Sequence, residues 1–104
     1  MKRIMFLGSS QDDLREFPPD VRHALGVELM RVQFGGMPAD FRPMPVVGAG
    51  VYEVRVHLHG AWRVIYLAKF EATVYVLHAF QKKTQRIAQA DIELAARRYK
   101  TIGA

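Results

Sequence analysis

From Val51 to His59 apolar and polar residues alternate: Tyr52, Val54, Val56 and Leu58 fall on one face of an extended strand, Glu53, Arg55, His57 and His59 on the other. Gly60 marks a turn, Trp62 to Ala68 reads as the next strand, and Thr73 to Phe80, rich in β-branched and aromatic residues, as a third. Short turns between consecutive strands predict an antiparallel meander. The first half of the chain has a different period. Lys2 to Leu7 is a short apolar strand. Ser9 and Ser10, each followed by an aspartate three residues on, form a capping-box-like start for a helix that Pro18 and Pro19 end near Phe17. A second helix starts at those prolines, which the first helical turn tolerates. Its stripe is Val21, Leu25, Leu29 and Val32, and Gly35-Gly36 stops it. Residues 35–50 hold four glycines and three prolines, so they form an ordered loop, with Val46-Val47 as a candidate edge strand. A last helix runs from about Ala88 to Lys100 and buries Ile92, Ala95, Ala96 and Tyr99.

The order predicts an α+β domain: a small, antiparallel-dominated sheet made of the N-terminal strand and the three-strand meander, two N-terminal helices on one face, and a C-terminal helix. Helices gathered on one face would leave the other open to a ligand. At 104 residues, half of them apolar, the chain fits one domain spanning 1–104 with one modest core.

Composition narrows the chemistry. There is no cysteine, which excludes disulfides and thiolate metal sites. The apolar run Ile4–Leu7 is too short for a signal peptide or a membrane span, so the expected location is the cytoplasm, with no membrane partner. The net charge of +5 is uneven: residues 1–50 carry six Lys/Arg against six Asp/Glu, residues 51–104 nine against four. A one-sided basic surplus is the footprint of a polyanion binder, although many small proteins are basic without one.

That surplus sits on the strands. Glu53 and Arg55 share a face of the first meander strand, Arg63 and Tyr66 lie on the second, His78 on the third, and Gln81-Lys82-Lys83-Thr84-Gln85-Arg86 follows it. Arginine inside a strand is costly unless paired. Two arginines, a tyrosine and a lysine pair converging across adjacent strands would make a concave cationic surface suited to phosphate. The hairpin register decides the geometry. A two-residue Gly60-Ala61 turn would set Arg55 opposite Tyr66 and turn Arg63 away; a longer or bulged turn would bring Arg63 round. His57-x-His59 has the spacing of two metal ligands but lacks an evident third, so a wet strand end is the better reading, and no metal is expected. His23 is a lone helix-surface residue. Gly8-Ser9-Ser10 lacks the Gly-Lys-Ser/Thr ending of a phosphate loop.

The stretches Val51-Tyr-Glu-Val-Arg55, Trp62-Arg63-Val-Ile-Tyr66 and Leu77-His-Ala-Phe-Gln-Lys-Lys-Thr84, with Ala95 and Arg98 in the last helix, resemble the phage-derived, HigB-like branch of the RelE toxin superfamily over roughly residues 3–100. The resemblance implies the RelE-like microbial RNase fold. It also implies the toxin of a type II toxin–antitoxin system: an endoribonuclease that needs no metal or cofactor, enters the ribosome and cleaves mRNA by attack of a 2′-hydroxyl on the adjacent phosphate. Carried over by position, Arg55 and Arg63 would bind phosphate, with Arg63 in the catalytic set. Tyr66 or His78 would orient or exchange a proton, and Lys82 and Lys83 would hold the backbone or assist the leaving group. Arg86 would add an RNA contact, and Phe80 would stack on a base or pack in the core. His78 has the side chain best suited to acid–base work near neutrality. The implied partners are the ribosome, mRNA and a helix-turn-helix, HigA-like antitoxin with an acidic contacting segment. Two other readings use the same basic face: a non-catalytic RNA- or ribosome-binding module, and a phage-derived protein-interaction domain.

Overall fold

The computed structural model describes residues 1–102. Its elements are β1 (Arg3–Phe6), α1 (Ser10–Arg15), α2 (Pro19–Gln33), β2 (Phe41–Pro43), β3 (Val51–His57), β4 (Ala61–Leu67), β5 (Thr73–Lys82) and α3 (Gln89–Lys100). The expected α+β fold is present. The strands form one sheet in the order β1-β5-β4-β3-β2. The meander β3-β4-β5 is antiparallel, and β1 joins β5 in parallel.

Proline and glycine set the limits of the first helices. α1 begins after Ser9, as expected, but not through a capping box: the Ser9 hydroxyl donates to the Asp13 carboxylate at 2.8 Å and accepts from Arg98 at 3.0 Å. Pro18 precedes α2 in an extended conformation and Pro19 stands in its first turn. At the other end Gly35, with φ of 92°, takes a left-handed conformation that a side chain would resist, and the helix stops.

One face of the sheet packs on α1 and α2. Val21, Leu25, Leu29 and Val32 meet Val54, Val64, Tyr66, Val74 and Val76, with Leu14 and Phe17 at the margin. The other face is not left free, as the sequence had implied. α3 lies on it, and Ala95, with Ile92 and Tyr99, covers Ile65, Leu67, Leu77 and Phe80. A helix carrying one apolar stripe must bury it, and the second face of the sheet is where α3 does so. It reaches across only part of that face.

The edge strand is Phe41–Pro43, not Val46-Val47. Pro45 has no N–H for a ladder, and the Val47 N–H turns back to the Met44 carbonyl at 3.0 Å, which buries Met44 and Val47 in the core under α3. β2 pairs with β3 antiparallel, Arg42 opposite Glu53, and Pro43 is tolerated because this is a sheet edge.

Candidate functional site

The β3–β4 connection, Leu58-His59-Gly60, has three residues, with His59 and Gly60 at φ of 57° and 138°. This is the longer of the two turns considered, and it brings Arg63 directly opposite Arg55. Side chains on a strand alternate, so one face collects Glu53, Arg55 and His57 from β3, Arg63 from β4, and Phe80 and Lys82 from β5. β2 adds Arg42 beside Glu53. At the N-terminal end of α3 these residues open into a cavity of about 380 Å³. Arg42, Glu53, Arg55, Arg63 and Lys82 line it from the sheet, Gln85 and Arg86 from the loop after β5, and Gln89 from the start of α3.

Glu53 is the only carboxylate among five cations in that lining, and it is 2 % exposed. Its Oε1 lies 3.6 Å from Nε of Arg63 and 3.9 Å from Nε of Arg55. These are ion-pair distances, too long for good hydrogen bonds. Oε2 of Glu53 and both Nε atoms have no hydrogen-bond partner. Arg63 is also 2 % exposed, held by one bond from Nη1 to the Trp62 carbonyl at 3.0 Å. Burial pushes the Glu53 carboxyl above its ordinary value, against the opposing pull of Arg63, Arg55, Arg42 and Lys82. Burial also lowers Arg63, opposed by Glu53, yet a guanidinium starts high enough to stay charged near neutrality. Buried polar groups are normally satisfied. Here a carboxylate and two guanidinium groups keep unused capacity inside one open cavity.

The other expected site residues divide. Arg55, Arg63, Lys82 and Arg86 come together in this cavity. Lys83 lines a smaller adjoining hollow of about 180 Å³, shared with Phe80, Lys82 and Asp91. Phe80 is 8 % exposed and packs in the core under α3. His78 lies deeper under α3 and does not line the cavity: its Nε2 is 2.7 Å from Oδ1 of Asp91, and its ring stacks on Phe80 at 4.8 Å. Tyr66 does not join the cluster at all. Three positions from Arg63 on one strand is an odd offset, so it faces α2, stacked on Tyr52 at 6.0 Å and 1 % exposed. Burial raises its phenol well above the ordinary value. The two histidines of the H-x-H do not converge. His57 approaches Asp40 at 3.8 Å, while His59, in the turn, bonds Asp20 at 2.9 Å. Among the described residues no group of three or more His, Cys, Asp or Glu is placed to hold a metal ion.

Glu53, Arg42, Gln85 and Gln89 were not among the expected site residues. Alternation alone puts Glu53 beside Arg55, so the signal for it was present. Arg42 needs the β2–β3 pairing, which no local pattern reveals.

The family model described as phage derived protein Gp49-like matches residues 12–100. No curated protein matches. Among solved structures, the crystal structure of the toxin–antitoxin complex RelBE2 from Mycobacterium tuberculosis is similar at a TM-score of 0.51 and 21 % identity, covering 78 % of this chain and 98 % of that one. At that identity the likeness speaks for the fold, the RelE fold. The family match spans most of the chain, both core faces and every strand of the meander, and on it the chain belongs to the phage-derived Gp49-like family, a RelE/HigB-type toxin family.

Proposed function

We propose that this chain is the toxin of a type II toxin–antitoxin pair and that it cleaves mRNA at its half-open sheet face. The observation that carries the reading is Glu53, a buried carboxylate with a raised pKa and an unpartnered oxygen, flanked by two arginines with unused donors. Cleavage of RNA by its own 2′-hydroxyl needs a base for that hydroxyl and cations for the charge on the pentacoordinate phosphorus. In this reading Glu53 takes the 2′-proton, the 2′-oxygen bonds to phosphorus, and the bond from phosphorus to the 5′-oxygen breaks. The products are a 2′,3′-cyclic phosphate and a 5′-hydroxyl. Lys82, at the cavity wall, supplies the proton to the leaving oxygen. Arg63 and Arg55 hold the phosphoryl oxygens, and Arg42, Arg86 and Lys83 meet neighbouring phosphates. Five cations around one carboxylate attract a polyanion even with Glu53 ionised. His78, tied to Asp91, orients α3 against β5.

The ribosome is the proposed setting, the cytoplasm the location, and a helix-turn-helix, HigA-like protein the antitoxin. No described helix is long and apolar enough to cross a membrane. The test is growth after tightly controlled induction, beside an Arg63→Ala/Lys82→Ala/Lys83→Ala variant. Arrest with the parent chain and normal growth with the folded variant support the reading. Normal growth with both, each soluble and folded, turns it toward a binding module without catalysis.

A further inference from the structure

The face of the sheet away from the arginine cavity has a feature that RNA cleavage does not use. The Tyr66 hydroxyl is buried without a hydrogen-bond partner, and its side chain lines a second cavity, of about 300 Å³, between the end of α2 and the strands. Lys2 and Lys69 stand at this cavity with Tyr52 and Met37. The Lys2 ammonium is held by the Ala68 carbonyl at 2.6 Å, and Lys2 is tied to Gln33 through its backbone. Neither lysine meets a carboxylate among the described residues. The cavity runs on, through Gly36 and Met37, into an apolar groove of about 430 Å³. That groove is made by Val27, Met30, Phe34 and Met37, which are 40 %, 54 %, 69 % and 44 % exposed. Val27 and Met30 on α2 and Phe34 at its C-terminal cap recur at helical spacing, so the helix and its end carry a second apolar stripe beside the one in the core. Contiguous exposed apolar surface of this kind marks an interaction site.

We propose that groove and cavity together dock an acidic amphipathic helix of a protein partner, one of whose large side chains enters the cavity and satisfies the Tyr66 hydroxyl. That the partner is the antitoxin rests on the toxin reading above. The cavity alone is at the lower end of small-molecule sites, and it opens into an exposed apolar groove, the kind of surface on which an amphipathic helix lays its apolar face. Lys2 and Lys69 on its borders select acidic residues, while Arg31 at the groove is already shared with Glu28 at 4.0 Å. A second copy of this chain fits poorly. Its acidic helix α1 has only six residues, α2 is the docking surface itself, and α3 ends in Arg97, Arg98 and Lys100.

The consequence concerns silencing. A helix seated on α2 lies across the sheet from Glu53 and Arg63, so it leaves the arginine cavity open and acts by bulk, keeping the toxin off its large target.

The test uses the full chain and, as probe, the protein encoded beside it, with affinity measured by calorimetry. Phe34→Glu and Met30→Glu change exposed positions, and thermal melts confirm that both variants fold. Each is expected to weaken binding at least about 100-fold, whereas Arg63→Ala with Lys82→Ala changes it less than about threefold. The complex should still bind a trinucleotide blocked by a 2′-deoxy group as well as the free chain does. Unchanged binding by both groove variants overturns the proposal. So does loss of binding in the arginine–lysine variant, or loss of trinucleotide binding in the complex, since the partner then covers the basic face. A concentration-dependent dimer of the chain alone, abolished by Phe34→Glu, also overturns it by making a second copy the occupant. No binding between the two wild-type proteins removes both this proposal and the antitoxin reading. Binding through Phe34 by a chain that never arrests growth keeps the docking site and removes the toxin.

Discussion

The two faces of the sheet bury similar strands and use them differently. Under α1 and α2 an apolar layer closes the face up to the cavity beside Tyr66, whose hydroxyl is its one unpartnered buried group among the described residues. Under α3 the layer stops half way, and Glu53, Arg55 and Arg63 occupy strand positions that elsewhere hold valine or isoleucine. Strand interiors accept such charges only where something offsets their desolvation. The ion pairs here are long and leave three buried polar atoms unsatisfied, so the arrangement is poor as a stabilising device. It is well suited to a phosphate that supplies the missing partners. The closed face sustains the fold, and under the proposed function the half-open face gives up stability for RNA cleavage.

The largest effect should come from Glu53→Gln. Removing a general base lowers cleavage by about 10²–10⁴-fold, read as loss of mRNA cuts in a ribosome-dependent assay. Arg63→Ala follows, at about 10²–10³-fold for one lost donor to the phosphorane. Arg55→Ala, on a more exposed side chain, should lose less under the same assay. If either arginine variant cleaves like wild type, the two faces do not differ as described.

The pH dependence of stability separates the faces in another way. Glu53 has a folded-state pKa raised above its ordinary 4.5, so the folded chain takes up this proton before the unfolded chain does. The group therefore adds stability as pH falls through its folded value toward 4.5, and it opposes folding at higher pH. Chemical denaturation of wild type and Glu53→Gln should show the variant as stable or more stable at neutral pH. The wild type should close the gap on acidification. A variant clearly weaker at neutral pH would mean that the ion pairs outweigh the burial.

His78→Ala should cost about 1–3 kcal/mol, because it removes the buried ring packed on Phe80 and its bond to Asp91, which is itself 28 % exposed. Cleavage should fall less than in either site variant. The smallest change is expected from Tyr66→Phe, which deletes an already unpartnered hydroxyl. Stability should hold or rise slightly in a denaturant titration, and cleavage should stay within about threefold, because the residue is on the closed face.

The alternation of Val51–His57 and the stripe of α2 were legible because each follows from one period along a single segment. The register that brings Arg55 and Arg63 together was left between two turns. It depends on three residues at Leu58–Gly60, with His59 in a conformation that non-glycine side chains seldom adopt. Arg42 stayed hidden because the pairing that places it joins residues eleven apart through a proline-rich loop. Tyr66 is the opposite case. Parity along β4 already sets it against Arg63, whereas the family resemblance of the stretch Trp62–Tyr66 implies a place beside it. His78 shares a face with Phe80 and Lys82, as alternation requires, but its position beneath α3 depends on Asp91, a tertiary contact.

The most direct test of the half-open face is the chemistry of RNA ends after induction of wild type and Glu53→Gln at matched protein levels. The account predicts in-frame cuts ending in 2′,3′-cyclic phosphate with wild type and none with the folded variant. The same cuts at the same frequency with Glu53→Gln would contradict it.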